Sequence, residues 1–439
     1  MIILPKNRYQ YEIIHIIVDL KKEYPVCHWF GFPLIPLDID KKFDPFFNAM
    51  VDGDTAKVKR ALEKIEDDPA IVTILKSLVH FYEGNIDSSI TCLEDFIREN
   101  EIPDEKERFY LLYNLERNYQ SASNLEKAKE CLEELSKIKL DERMKLLIEN
   151  EYGGLFWYLD KYEKARERVE GFLEKVTEMG DLFLQETAHN LLGIIQMEIG
   201  DYGRAIDSLN RSLEISEEIG DRLGVARAEL NIGEAYRQTG AWEIAKEFFN
   251  LSVESAASLK GFTGFRLRAD CYINLGDISM LENRTDEAKE YYERALEEAT
   301  DIGETQIIVR IYLGLAKVCI EQKSFYEALD HLDKAHESSS GSKRYKAETY
   351  ALRGRVNEEQ RRYREALQSY GLAIFLFREI NNKYGIAHME EAIGMIYAKI
   401  GNKERSLEYL RRAKEKYASF ASIIDLENID RQMKEVQTL

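Results

Sequence analysis

Five residues between positions 227 and 237 carry side chains that could grip another molecule: Arg227, Leu230, Asn231, Glu234 and Arg237. Their offsets are i, i+3, i+4, i+7 and i+10, which puts them in one stripe if the segment is helical. Asn231 and Asn274 hold the same place in two related segments. A primary amide offers donors and an acceptor from a single side chain. Related segments extend the stripe with Asn190, Ile194 and Met197, then Asp277 and Met280, then Arg310, Leu313 and Lys317, then Arg355 and Glu358. The cations Arg227, Arg237, Arg310, Lys317 and Arg355 predict a locally positive groove suited to an acidic peptide or a carboxylate. The competing arrangement is internal: the same cations can pair with Glu234, Asp277 and Glu358 as solvated helix-face charges.

Signals for catalysis are weak. There is no Gly-rich phosphate loop of the GxxxxGK[ST] type, no GxSxG elbow and no HExxH. His331 and His336 are five apart on a helix, so they do not share a face and make a poor metal pair. The other five histidines are isolated, and carboxylate pairs carry no information in a chain with 32% charged residues. No enzyme, cofactor or metal site is expected.

What must position the stripe is a repeat. Glu186–Asp221 and Ala226–Gly261 are two copies of one pattern, forty residues apart. Small anchors recur at Gly153, Gly193, Gly233, Gly276, Ala316, Gly354 and Gly394, with steps of 40, 40, 43, 40, 38 and 40. Twelve residues after each comes a small partner: Ala165, Ala205, Ala245, Ala288, Ala328, Ala366 and Ser406. Small residues at both places let a helix A and a helix B cross closely in an antiparallel hairpin. Larger residues such as Leu192, Leu209 and Leu213, or Ile232, Tyr236, Phe249 and Val253, fill the gaps around the crossing. Gly200 and Gly240 supply the turn between A and B; Gly220 ends helix B, and Asp221 is placed to cap the next helix A.

Repetition at this period is the mark of a solenoid. The expectation is all-α: a right-handed superhelix of about eight to nine hairpins. Residues 1–44 do not repeat; 45–150 form irregular hairpins, 151–420 the regular array, and 421–439 a capping helix. All seven prolines fall at or before Pro103, where the repeats are least regular. Phe46 to Lys64 reads as a degenerate hairpin, Ser77 and Ser89 stand where Gly and Ala belong, and Glu116 and Ala128 mark the next unit. SSSGS at 338–342 reads as the most flexible joint. The segment Pro25 to Asp40 has three prolines and an apolar run including Trp29, Phe30 and Phe32. It either covers the exposed end of the solenoid or occupies the groove as an internal pseudo-ligand.

Composition narrows the role. With 80 acidic against 61 basic residues, the net charge is −19. That argues against a general nucleic-acid or acidic-membrane surface. Five scattered cysteines without CxxC predict reduced thiols. The start lacks a signal-peptide pattern, and no run of about 18 apolar residues occurs, which predicts no membrane insertion and a cytoplasmic location.

The segments NIGEAYRQTGAWEIAKEFF (Asn231 to Phe249) and INLGDISMLENRTDEAKEYYERAL (Ile273 to Leu296) resemble the tetratricopeptide repeat family, with weaker copies over residues 45–420. The forty-residue step with Gly-Asp between units is more similar to Pins-type polarity adaptors, kinesin light chain and the Rap and MalT-like regulators than to the 34-residue co-chaperone class. The resemblance implies a concave surface lined by helix A that holds a peptide from a partner protein, with asparagines such as Asn231 and Asn274 gripping its backbone. A scaffold is the first expectation; a peptide- or ligand-sensing regulator and a subunit of an enzyme complex are the alternatives. The chain departs from the family in lacking the proline that closes helix B. Ser279 and Asn357 replace an aromatic of helix A, which predicts looser packing there.

Overall fold

The computed structural model describes residues 60, 62 and 69–438, apart from 83–84, 123, 260–261, 303–304, 340–341 and 420–422. The expectations for residues 1–44, for most of the Phe46 to Lys64 hairpin and for the centre of the 338–342 joint lie outside the described residues. The described residues form nineteen helices. They run as hairpins: α1 and α2 (Pro69–Tyr82, Ile86–Glu99), α3 and α4 (Glu105–Ser121, Leu125–Leu135), α5 and α6 (Glu142–Tyr158, Tyr162–Met179), and α7 and α8 (Leu182–Ile199, Tyr202–Ile219). Then come α9 and α10 (Arg222–Gln238, Trp242–Ala256), α11 and α12 (Phe262–Leu281, Thr285–Ile302), and α13 and α14 (Thr305–Glu321, Phe325–Ser338). The last are α15 and α16 (Lys343–Glu359, Tyr363–Glu379), α17 and α18 (Lys383–Ile400, Lys403–Ser419), and a single α19 (Ile423–Thr438). The odd-numbered helices to α17 are helix A, the even-numbered ones helix B. No strand occurs among the described residues, and the fold is an all-α solenoid. The chain divides into two compact units, Met1–Asn274 with Asp301–Gly303 and Leu275–Thr300 with Glu304–Leu439.

In the first unit the small anchors sit at the A/B crossing. A methyl carbon added to Gly193 would lie 2.5 Å from Leu209 Cγ and 3.2 Å from the Ala205 carbonyl oxygen. At Gly233 it would lie 2.8 Å from the Phe249 ring and 3.2 Å from the Ala245 oxygen. Ala205, Leu209, Ala245 and Phe249 are all fully buried. The two irregular hairpins close the same crossing with polar groups. Ser77 and Ser89 share a 2.8 Å hydrogen bond, Ser89 also donates to the Ser77 carbonyl at 2.7 Å, and Asn118 Nδ2 reaches both hydroxyls at 3.1 and 2.8 Å. Glu116, at the anchor place of α3, is fully buried and accepts from Gln120. Burial, then the Glu151 carboxylate beside it, push its carboxyl well above the usual range.

Caps follow the local sequence. Gly200, Gly220 and Gly240 have φ of 86°, 73° and 80°, the left-handed conformation in which glycine carries no Cβ strain. Asp181 and Asp221 accept the backbone N–H of Leu184 at 3.1 Å and Leu223 at 3.0 Å at the starts of α7 and α9. After α10 the device changes: Arg268 of α11 donates to the carbonyls of Ala256 and Leu259 at 2.8 and 3.1 Å, satisfying the end of that helix.

In the second unit the looser packing expected at Ser279 is not what forms. Ser279 is fully buried and donates to the Leu275 carbonyl at 3.0 Å. Helix B supplies a ring sixteen residues after the anchor, in the place Phe249 holds after Gly233. Tyr292 packs on Gly276 and Gly314, and its hydroxyl donates to Asp277 at 2.6 Å. Tyr370 packs on Gly354 and donates to Glu358 at 2.8 Å. Ala316 and Ala328 are both fully buried, and Gly314 serves the neighbouring contact with Tyr292. At the end, Ile429 and Val436 of α19 are buried against a cluster that includes Leu410, Ala413 and Tyr417 of α18.

Two alanine substitutions in one hairpin separate crossing from propensity. At Gly354 an added methyl overlaps the Tyr370 ring, while at Gly371 it meets nothing within 4 Å. Gly354→Ala is expected to destabilise by about 1–3 kcal/mol through overpacking. Gly371→Ala, in the interior of α16, should stabilise by about 0.5–1 kcal/mol. Denaturant unfolding of the two variants measures both signs.

Candidate functional site

Successive A helices touch one another within each unit, α1 with α3, α5 with α7, α7 with α9, and α13 with α15. They therefore line the inner side of each stack. The stripe predicted above lies on these helices, and the structure treats its members differently.

In the first unit Asn231 Nδ2 donates to Asn190 Oδ1 at 2.8 Å, across the seam between α9 and α7. Both amides are half-buried, while Ile232 and Gly233 beside Asn231 are buried in the hairpin. Among the described residues the Asn190 nitrogen and the Asn231 oxygen make no further hydrogen bond, so the pair presents one donor side and one acceptor side outward. Asn274 lies deeper, at 9% exposure, and Met197 is buried at 8%. Arg237 holds Glu234 through two contacts of 2.8 and 2.5 Å.

Arg227 is turned inward. Its guanidinium meets both oxygens of Glu186 at 2.9 and 3.0 Å. Glu186 is fully buried and also accepts from Ser212 at 2.8 Å. Beside them Asp221 is 2% exposed. Burial and then the Glu186 carboxylate raise the pKa of Asp221 from 3.8 to about 7. Gly224 has to be bare here, because an added carbon would meet the Asp221 carboxylate and Ser216 Oγ at 2.5 Å. Sequence reasoning missed Glu186. Its signal is positional: Glu186 stands where the next repeat has Ala226, so a charge falls at a core place. In that next repeat Ser252 donates to the Ala226 carbonyl at 2.7 Å, and no carboxylate is present.

In the second unit Asp277 accepts from Tyr292, and Leu313 is buried at 3%. Arg310 is half-buried and Lys317 exposed. Arg355 donates to Glu321 at 2.6 Å, and Glu358 takes Lys399 at 2.7 Å as well as the Tyr370 hydroxyl. A second buried carboxylate went unread in the sequence: Glu390, fully buried, accepts from both Arg412 and Lys416 at 2.7 Å. Three of the five stripe cations, Arg227, Arg237 and Arg355, are therefore held by carboxylates of this chain.

Other chemistry finds little support here. Among the described residues no group of three or more His, Cys, Asp and Glu could hold a metal ion. Cys92, Cys131, Cys271 and Cys319 are free thiols, and burial is the main cause that raises the pKa of each. No described helix is long and apolar enough to cross a membrane.

Paired helices with small residues at most of their crossings define a helical-repeat fold. Family models described as tetratricopeptide repeat match residues 184–258 and 307–379, and residues 269–301 and 391–415. The chain is a tetratricopeptide repeat protein. No curated protein matches it in sequence. Among solved structures, the apo form of the quorum sensor NprR from B. thuringiensis is similar at 20% identity and a TM-score of 0.54, over 85% of this chain and 97% of that one. A Rap protein complexed with Competence and Sporulation Factor is similar at 12% identity and a TM-score of 0.52, over 84% and 99% of the two chains. Aspartyl phosphate phosphatase F from Bacillus subtilis gives 12% and 0.52, over 97% of each. At these identities the likeness is one of fold.

Asp221 carries a pH dependence whose sign follows from its shift. Its folded pKa, about 7, lies above the ordinary 3.8, so between those values the folded protein binds the proton more tightly. Stability from this group therefore falls as pH rises through that window. Asp221→Asn keeps a capping oxygen and removes the titration. The melting-temperature difference, variant minus wild type, should grow from about pH 4 to about pH 7 and level off above. A difference that is flat with pH would place the titration elsewhere.

Proposed function

We propose that this protein binds a peptide segment of a partner protein along its A-helix face in the first unit, without catalysing a reaction on it. The observation that carries this reading is the Asn190–Asn231 pair, joined at 2.8 Å. One amide keeps donors and the other an acceptor, spaced as adjacent groups on a surface between helices. An extended peptide backbone offers the complementary pair, and half-buried amides lose less to water competition than exposed ones. Asn274 continues the row on α11. Solved relatives in fold include a quorum sensor and a Rap protein in complex with Competence and Sporulation Factor. They support a second, narrower reading, in which the bound peptide is a signal and the protein a regulator that responds to it.

An acidic segment remains the better electrostatic match in the second unit, where Lys317 is exposed on the stripe and has no partner among the described residues. The pairing of Arg227, Arg237 and Arg355 with carboxylates of this chain limits how much charge the face can contribute.

Affinity capture from native lysate, followed by calorimetry with the captured partner's segment, tests the amide pair. Asn190→Ala with Asn231→Ala is expected to weaken binding by roughly 1–3 kcal/mol, the cost of leaving peptide groups without hydrogen bonds. The melting temperature should move by no more than a few degrees, since both side chains lie outside the core. Unchanged affinity in the folded double variant would put the contact on another surface.

A further inference from the structure

The outward side of the B helices carries a pattern that the A-helix face does not use. Among the described residues ten large apolar side chains are exposed. Six of them, Tyr158, Met179, Leu281, Tyr326, Tyr384 and Ile400, stand singly at or beside a helix end, where such exposure is ordinary. The other four form two pairs, each on one B helix. Ile244 and Leu251 of α10 are 41% and 45% exposed, and Leu372 and Phe375 of α16 are 41% and 60% exposed.

The two pairs sit among opposite charges. Ile244, Glu247, Leu251 and Glu254 stand at offsets i, i+3, i+7 and i+10, so they share one face of α10, and both carboxylates are exposed. Arg364, Gly371, Leu372, Phe375 and Arg378 share one face of α16, with an exposed cation at each end of the apolar centre. None of these four charges is in an ion pair among the described residues. Gly371 belongs to the same face. A methyl added there meets nothing within 4 Å, so no crossing inside the chain requires this glycine, although glycine weakens a helix interior. On an outward face it leaves a shallow place where a large side chain can come close to the backbone.

We propose that these faces are the two halves of a self-association contact, in which α10 of one molecule lies on α16 of a second copy of this chain. Set antiparallel with Leu251 over Gly371, Ile244 and Leu251 bracket Phe375. Glu247 then stands three residues from Arg378 along the axis and Glu254 four from Arg364, roughly 4.5 and 6 Å at about 1.5 Å per residue. Long side chains close such gaps. Apolar burial supplies the attraction, and the flanking charges set the register and reject a like face. A single helix-on-helix patch is small, so the association belongs to the weak, transient class. Because each molecule carries both faces, the contact closes as a two-fold pair or continues head to tail. It lies on B helices and is independent of the peptide-binding reading of the A-helix face.

Sedimentation velocity of the full-length protein over a range of concentrations tests the contact. Wild type is expected to sediment as a monomer when dilute and to shift to larger species when concentrated. Arg364→Glu with Arg378→Glu makes both faces acidic, and Glu247→Arg with Glu254→Arg makes both basic. Each double variant alone should associate about a hundredfold more weakly or less, the scale on which like charges are rejected at an interface. Mixed in equal amounts the two should associate again, since every contact then pairs unlike charges. Phe375→Ser should lose the association with all charges intact, and far-ultraviolet circular dichroism checks that each variant is folded. A wild type that stays monomeric at every concentration overturns the proposal and leaves both faces to partners of other sequence. Association that survives in either charge-reversed variant, or a mixture that fails to reassociate, overturns it as well.

Discussion

Everything in this protein hangs on how closely helix A and helix B can cross. Two helices packed with large residues at the contact stay about 10 Å apart, and smaller residues bring them nearer. At Gly193 and Gly233 a Cβ would press into Leu209 or Phe249 and against a carbonyl oxygen of helix B, so the neighbours would have to shift. The large side chain from helix B then lies flat over the bare backbone of helix A. A hairpin built this way still has an apolar face uncovered, and only the next hairpin covers it. The repeat is thus a packing requirement before it is a functional one.

The crossing tolerates three chemistries. In the regular hairpins it is apolar. At α1 and α2 it is a serine pair with Asn118 closing the network. At α3 a buried acid, Glu116, occupies the anchor place and is satisfied in part by Gln120. A buried polar group is tolerable when it is hydrogen-bonded and costly when it is not. The irregular hairpins therefore exchange the glycine contact for specific hydrogen bonds. They also gain polar walls that an apolar crossing would not have.

Charge is organised by the same geometry. A chain with net charge −19 places three of its stripe cations on its own carboxylates. Glu186 and Glu390 are fully buried, so each needs cations and donors around it, and Arg227, Arg412 and Lys416 are drawn inward to supply them. Of the stripe, the Asn190–Asn231 amides in the first unit stay half-buried and Lys317 in the second stays exposed.

The period of the small residues was legible because helix crossing is a local, repeated demand: one Gly, then one Ala twelve residues on, each with few substitutes. From it followed the all-α hairpins, the turns at Gly200 and Gly240, the cap at Asp221 and the face on which Asn231 lies. The close fit at Ser279 was not legible, since it rests on a buried hydroxyl turned back to the Leu275 carbonyl. Nor was the direction of Arg227. A stripe of helical offsets says which side of a helix a residue occupies, but whether its charge points outward depends on Glu186, forty-one residues away, and on how deeply the stack buries that carboxylate. Pattern along one helix decides faces; only the approach of neighbouring helices decides which polar groups on a face are already taken.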